Sequence, residues 1–427
     1  MNNINTIQTK YIVVVDAYAT GAYIAPTALS FGFPCIHVKN KTEHMPLAEK
    51  SFSPQLFTKL INYHGDIDSV LEELKEFDIQ AVIPGTESGV ILSIALSNAL
   101  GLPNTSGSIP SSVFRDKYQL YKELGYLQVY SIHKIKKARE VESVVFNEGE
   151  QVVVKPTADC SSFCVKICNN IDEVYKAVET VISSDDLFSR KESREAIIMP
   201  RFTGVEYMVN TVSHNSIHTV VELWKTNKTI NNGSPTYGVA TLLDLNDHQY
   251  EHIIKEATYA LQKLGVVYGP AHIEIIDVDG KTAFVIDFGF RLQGRTDPSI
   301  AYKAYGSSAL QYCMLSAINR GESLNLSPPK YNKGCRLVTL HARKEGRLSQ
   351  DFPWEMFSQL PSFHSVLKNK SKCGEYITFS QDAMTSFGTI FLVGSDHQIE
   401  IDTQLIKEME QNGVIDDFIA NNASLDI

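Results

Sequence analysis

The tightest constraint on this chain lies between Gly269 and Gly289. Two apolar runs, Ala271–Val278 and Ala283–Phe288, flank Asp279-Gly280, and Asp-Gly between alternating apolar residues is the strongest short-range signal of a β-hairpin. Side chains on a strand alternate between faces. His272 and Glu274 therefore share a face of the first strand, and Asp287, Gly289 and Arg291 share one on the second. Two carboxylates on one buried face repel. A divalent cation removes that cost, and two carboxylates with phosphate oxygens make an ordinary magnesium site. The same residues also read as solvated polar positions, and the hairpin alone does not separate the two readings.

At 427 residues the chain is long enough for two or three domains of ~150 residues. The first hundred residues alternate strand-like runs (Tyr11–Val15, a run from Pro34 to Val38, Ala81–Pro84) with helical stretches (Ala22–Ser30, Ser69–Glu76, Ser88–Leu100). That order predicts a doubly wound parallel sheet, with ligands beyond the carboxyl ends of its strands, where the loops Asp16–Gly21 and Gly85–Gly89 fall. From Ser111 the texture becomes a mixed antiparallel α+β pattern. It has a helix candidate over Val113–Leu124, a strand VVVK (Val152–Lys155), a loop Thr157–Phe163 and a strand Cys164–Cys168. A helix Ile171–Ser183 and strands Ala196–Met199 and Glu206–Ser213 follow, before the hairpin. After Pro328-Pro329 a third region carries strands near Arg336–His341, Tyr376–Thr378 and Gly388–Val393. The expected domains are 1–110, 111–327 (lobes dividing near 205) and 328–427.

Two lysines stand out. Lys155 ends an apolar strand before Pro156, and Lys117 sits in an Arg-Asp-Lys run. A lysine is a compact point charge suited to phosphate, although any single lysine reads as well as a surface residue. Their order along the chain is more specific: Lys117, Lys155, a small-residue loop, Gly204-Val205-Glu206, then Glu274, Asp287 and Arg291. In that order, and in the stretches SVFRDKYQLYKELG, VVVKP, MPRFTGVEYMVNTVS and GPAHIEIIDVDGKTAFVIDFGFRLQG, the chain resembles the ATP-grasp carboxylate–amine ligases. Within them it is most similar to the L-amino acid ligases that make dipeptides, the bacilysin-synthetase type. Those carry Gly-x-Arg after the second metal carboxylate, as Gly289-Phe290-Arg291 does here, where most of the superfamily has Asn-x-Arg. The similarity extends to VVVDAYATGAYIAP, VIPGTESGV, LHARKEGRLSQ and SFGTIFLVG, nearly the whole chain.

The resemblance implies an ATP-grasp fold behind an N-terminal doubly wound domain, with a small C-terminal α+β region. It implies that Lys117 and Lys155 contact ATP phosphates, with Ser161 and Ser162 donating from the loop. The backbone of Met199, Pro200 and Phe202 would face adenine, and Glu206 the ribose hydroxyls. Glu274 and Asp287 would hold Mg²⁺ or Mn²⁺, and Arg291 would stabilise an acyl phosphate and the tetrahedral intermediate. His272 is a candidate for the amino-acid site or a satisfied structural histidine. Arg295 is a candidate for selecting a carboxylate-bearing substrate or an ordinary surface arginine. The implied activity is ATP-dependent amide formation between a small-molecule acid and amine, amino acids foremost, by a cytoplasmic enzyme whose relatives are often homodimers.

One departure bears on this expectation. The family's loop after the second lysine is rich in glycine and serine, so that N–H groups can wrap phosphates. Here it reads Thr157-Ala158-Asp159-Cys160-Ser161-Ser162-Phe163, without glycine and with an acid expected near the phosphates. A chain that binds ATP without turning it over is therefore one alternative, and a ligase for a specialised-metabolite acid or amine another. Asp297, Ser299 and Tyr302 read as pocket residues or as the start of a helix. Lys+Arg total 39 against 49 Asp+Glu, which argues against a nucleic-acid-binding surface. The seven cysteines show no paired framework, as expected of a reduced compartment. Cys160, Cys164 and Cys168 lack a second ligand pair at zinc spacing and read as small buried hydrophobes. Met1–Lys10 has no apolar core of a signal peptide, and the longest apolar stretch, Gly89–Leu102, is too short to span a bilayer.

Overall fold

A computed structural model describes residues 9–46, 48–103, 110–144, 149–185, 187–188, 194–231 and 234–420; most of the polar N-terminus falls outside them. The first sheet is built from β1 (Lys10–Val15), β2 (Cys35–Asn40), β3 (Lys59–Tyr63) and β4 (Asp78–Pro84). Its order is β3-β2-β1-β4, and its pairings are all parallel. The helix α1 (Ile24–Ser30) joins β1 to β2, α2 (Ile67–Leu74) joins β3 to β4, and α3 (Val90–Ala99) follows β4. Because β2 and β4 flank β1, the order reverses there, which makes the crevice at the carboxyl ends of β1 and β4 a ligand site by topology. The two loops at that edge touch. A Cβ on Gly21 would lie 2.3 Å from the Gly85 carbonyl oxygen, so the loop after β1 seats directly on the loop after β4.

The short helix α4 (Lys117–Glu123) is capped by Asp116, whose carboxylate accepts from Tyr118 N and Gln119 N. The expected continuous helix over Val113–Leu124 is therefore two pieces. Ser111–Phe114 forms a 3₁₀ turn, and the extended Asp116 cap starts the α-helix afresh. A four-stranded antiparallel sheet follows, ordered β5-β8-β6-β7 from β5 (His133–Ile135), β6 (Val152–Pro156), β7 (Lys166–Cys168) and β8 (Ala196–Pro200). Its strand β7 is shorter than expected, because Ser161, Ser162 and Cys164 have φ of 63°, 58° and 55° and keep the chain in turns until Val165. The helix α5 occupies Ile171–Ser183, with Asn170 capping it.

The largest sheet has eight antiparallel strands in the order β13-β12-β9-β10-β11-β14-β18-β16. They are β9 (Val205–His214), β10 (Ile217–Asn231), β11 (Ser234–Leu242), β12 (Gly269–Asp277), β13 (Ala283–Gly289), β14 (Gly334–Leu340), β16 (Phe363–Lys368) and β18 (Gly388–Gly394). The small strands β15 (Gly346–Leu348), β17 (Tyr376–Ile377) and β19 (Ile419–Ala420) form a separate ribbon. The sheet runs without a break from the hairpin region into the C-terminal strands, since β11 pairs with β14 through Val239 and Val338. α6 (Glu251–Lys263) covers one face of it, its buried Ile253, Ala257 and Leu261 joining the core around Trp224. α7 (Pro298–Tyr305) opens on an Asp297 cap. α8 (Ala309–Ile318) packs between this sheet and the first, with Leu310, Cys313 and Met314 buried against Ile12, Ile83 and Val212. α9 (Asp396–Gln411) closes the C-terminal core. No helix among the described residues is long and apolar enough to cross a membrane.

Candidate active site

The hairpin forms as expected. His272 lies opposite Gly289, and Glu274 opposite Asp287, so the two carboxylates are register partners. Both line a cavity of about 410 Å³ between the small sheet and the large one, together with Lys117, Lys155 and Glu206. Each charged group reaches it from a different element. Lys117 is the first residue of α4, placed there by the Asp116 cap, while Arg115 on its other side is buried against Glu43 at 2.5 Å. One turn later Tyr121 shares the Lys117 face of the helix. Lys155 is the last residue but one of β6, and its ammonium donates to Tyr121 Oη at 2.6 Å and to the Ile286 carbonyl at 2.8 Å.

The site contains a lysine that sequence reasoning missed. Lys228, on β10, lies 2.6 Å from Glu206 and 3.4 Å from Glu274, with the Tyr237 ring 4.2 Å from its nitrogen. Tyr237 donates to Glu274 at 2.5 Å, and Lys117 lies 3.0 Å from Asp287. Three lysines thus face three carboxylates, and the cleft is balanced in charge. Burial disfavours charge on every one of them. Lys117 nevertheless keeps its proton more tightly than a free lysine, because Asp287 and Glu87 outweigh burial. Lys155 does not: burial pushes it down to about 8, only partly opposed by Asp287. Burial raises Glu206 against the pull of Lys228, whereas Glu274, also buried, is held well below the carboxylate range by Lys228 and His272.

A second, smaller cavity of about 120 Å³ adjoins the first, and Glu274 lines both. The smaller one is lined by Ser161, His272, Arg291 and Arg295 among others. Of the residues singled out from the sequence, Ser162, Met199, Pro200, Phe202 and Glu206 line the larger cavity and Ser161 the smaller. The Phe202 ring is committed to Phe284, 4.3 Å away and stacked. His272 is held by Asn210: Nδ1 lies 2.8 Å from Asn210 Oδ1, while the Asn210 amide donates to Glu222 and Gln293. Asp297 and Ser299 are spent on the α7 cap, Ser299 N donating to Asp297, and neither lines a cavity described here.

Arg291 is anchored from the first domain. Glu87, in the loop after β4, accepts from Arg291 Nε at 2.8 Å; the Glu87 backbone carbonyl accepts from Arg115 Nη1. Against burial, Glu87 keeps the Arg291 guanidinium charged. Gly289 makes room for this pair: a Cβ there would sit 3.3 Å from Glu87 Oε2 and 3.3 Å from Arg291 Cζ. The glycine-free loop differs from expectation in one respect. Asp159 does not confront the phosphate region as a bare charge, because its buried carboxylate pairs with Arg194. The Asp159 carbonyl meanwhile accepts from Lys117 at 2.7 Å. Cys160 and Cys168 are buried and Cys164 half-buried.

Glu274 and Asp287 suit a divalent cation that takes its other ligands from phosphate and water. Among the described residues no three His, Cys, Asp or Glu side chains gather into a metal cage, and Mg²⁺ in nucleotide sites commonly takes only one or two protein carboxylates.

No family model matches the chain. It is 26% identical over 331 residues to dapdiamide A synthase from Enterobacter agglomerans, covering 77% of this chain and 76% of that protein. Its fold is similar to that of an L-amino acid ligase from Bacillus licheniformis, with a TM-score of 0.77 at 18% identity over 94% of this chain and 98% of that one. It is also similar to N5-carboxyaminoimidazole synthetase from Staphylococcus aureus in complex with ADP, with a TM-score of 0.63 at 13% identity over 95% and 99%. With lysines, opposed carboxylates and an arginine gathered along one cleft, the chain shares the fold of these ligases and is similar in sequence to one synthase.

Proposed function

We propose that this chain is a ligase that joins two amino acids, or an amino acid and a closely similar acid or amine, through an acyl phosphate. The observation that carries the reading is the pair of cavities meeting at Glu274: a large one lined by lysines for a nucleotide, and a small one lined by arginines for what is joined. The ADP complex of a solved structure of this fold and the names of the amino acid ligase and the dapdiamide synthase support it.

Lys117, Lys155 and Lys228 hold the ATP phosphates. Lys117 and Lys228 exchange a carboxylate partner for a phosphate as the nucleotide enters. Met199, Pro200 and Phe202 offer backbone to adenine, Glu206 accepts from the ribose hydroxyls, and Ser161 and Ser162 donate to phosphate oxygens. Glu274 and Asp287 would hold Mg²⁺, which supplies charge neutralisation between phosphate groups. An oxygen of the acid's carboxylate attacks the γ-phosphorus and its bond to the ADP oxygen breaks, a step governed by positioning and charge. The amine nitrogen then attacks the acyl carbon, and Arg291 stabilises the oxyanion that forms. The bond from carbon to the phosphate oxygen breaks, phosphate leaves with the electron pair, and the amine's surplus proton passes to phosphate or solvent. The Thr157–Phe163 loop, whose Ser161 carbonyl meets Ala383 N at 3.4 Å, shields the acyl phosphate from water. The case for a nucleotide binder without turnover rested on the glycine-free loop and the acid it carries, and the acid, Asp159, is paired with Arg194.

The same reading assigns residues 1–110 to a substrate-contacting domain and 111–327 to the nucleotide and metal lobes. It assigns 328–427 to a C-terminal domain, whose strands β14, β16 and β18 share the large sheet. It places the enzyme in the cytoplasm, where seven free thiols persist, as a monomer or homodimer that light scattering distinguishes. The test is phosphate release from Mg-ATP with single amino acids and then pairs. Release should depend on particular pairs and yield a condensed product by mass spectrometry, and Lys155→Ala and Glu274→Ala should each lower kcat/KM at least a hundredfold. Full activity in either variant contradicts the assignment.

A further inference from the structure

We infer that Arg295 is the anchor for a carboxylate on the amine substrate, making that substrate a small α-amino acid and not a simple amine. The inference rests on the ligase reading above. Arg295 lines the smaller cavity, as do Asp382, Ala383 and Ser386, and does not line the larger one. Every other charged group in that cavity is already engaged. Arg291 is paired with Glu87, Glu274 with Lys228 and Tyr237, and Asp382 accepts from Thr385 N at 2.8 Å and Thr385 Oγ1 at 2.9 Å. Among the described residues Arg295 has no carboxylate within ion-pair distance. Its one hydrogen bond recorded there is a long one, Nη2 donating to Ser386 Oγ at 3.4 Å.

A half-buried guanidinium without an ion-pair partner is costly. Burial lowers its proton affinity, only partly restored by Asp382. The backbone adds to the cost, since Arg295 has φ of 56°, a left-handed conformation that residues with a Cβ rarely adopt. Such strain persists where the surroundings over-determine it, and it clusters at ligand clamps. A guanidinium fork matches a carboxylate in bidentate geometry. The order of groups along the cleft assigns that carboxylate to the amine substrate. The phosphates take the lysine-lined larger cavity and the acyl carbon is made at Glu274 and Arg291, so the amine adds to the face of that carbon open to the smaller cavity. Its wall also carries the apolar residues Met208, Val239, Ala240 and Leu337, and the whole cavity measures about 120 Å³, which suits a small substrate with an aliphatic side chain.

The experiment uses the full chain with the acid found by phosphate release. It compares one amino acid as acceptor with the carboxamide of that amino acid, for example alanine against alaninamide and valine against valinamide. Wild type should prefer the free acid by at least 30-fold in kcat/KM. Arg295→Met should bring the ratio within threefold of unity, and Arg295→Lys should keep an intermediate preference. The ratio is read within each variant, so a partial loss of folded protein cancels. A preference that survives in Arg295→Met, or a wild type indifferent to the carboxylate, overturns the inference. Hydroxylamine, a nucleophile without a carboxylate, separates the two levels: acid-dependent hydroxamate from wild type keeps the ligase reading whatever Arg295 does, and its absence sinks that reading itself.

Discussion

Lys117 and Lys155 bring the same side chain into one cleft, yet the cleft treats their protons oppositely. Lys117 touches Asp287, whereas Lys155 has only neutral oxygens within hydrogen-bond reach, and burial takes it down to about 8. A lysine in the unfolded chain titrates near ~10.4. Between about 8 and that value the unfolded chain binds more protons than the folded one, so this group's contribution to ligand-free stability rises with pH across the window. ATP affinity runs the other way, because phosphate needs the charged lysine. Calorimetric titration should show the dissociation constant of Mg-ATP increasing above pH 8 by up to tenfold per pH unit. The slope should flatten in Lys155→Arg, whose guanidinium does not titrate there. An equal slope in both proteins would remove Lys155 from the phosphate site. At this scale the sequence was legible where charge order alone mattered: Lys117, Lys155, Glu274, Asp287 and Arg291 were singled out that way, and they line two adjoining cavities. It was not legible for Asp159, whose neutralising partner Arg194 is 35 residues away in the chain, nor for Glu87, which meets Arg291 from another domain. Partnerships of that range leave no local pattern.

Among the elements, the hairpin β12–β13 was read almost to the residue, because alternation and an Asp-Gly turn specify register together. The neighbouring hairpin β10–β11 was passed over, and Lys228 and Tyr237 with it. Its cues were present: Asn232-Gly233 lies between two runs rich in Thr, Val and Ile, but Lys225, Asn227, Lys228 and Asn231 interrupt the apolar alternation. Asn227 and Lys228 do so because they line a polar cleft, and periodicity fades where a strand lines a site instead of a core. The entry to β9 gives a prediction of its own. A Cβ on Gly204 would lie 1.9 Å from the Asp277 carbonyl oxygen, and that oxygen belongs to a strand end which cannot retreat like a side chain. Gly204→Ala should therefore separate the start of β9 from the end of β12. It should cost ~1–3 kcal/mol of stability and displace Glu206 two residues on, weakening nucleotide binding. Denaturant unfolding together with an ATP titration checks it, and unchanged values in both would show that the contact yields.

For the molecule as a whole, the parallel first domain and the antiparallel remainder were legible from the order of strands and helices. The continuity of the large sheet was not. Nothing local tells β14, some ninety residues after β11, to pair with it, and the sequence reading placed a boundary at 328 where the structure carries the sheet through. That continuity lets C-terminal residues such as Leu337, Thr339 and Thr389 wall the cavity beside Arg295. Three parts of the chain thus converge on one point, Glu87 from the first sheet, the lysines and carboxylates from the middle, and the C-terminal strands. The account requires an acid to be phosphorylated there before the amine arrives. An acid labelled with ¹⁸O in its carboxylate, condensed by the enzyme with Mg-ATP and an amine, tests this most directly by mass spectrometry of the phosphate released. The account predicts that each phosphate carries one ¹⁸O from the acid; phosphate without label, alongside the same condensed product, would contradict it.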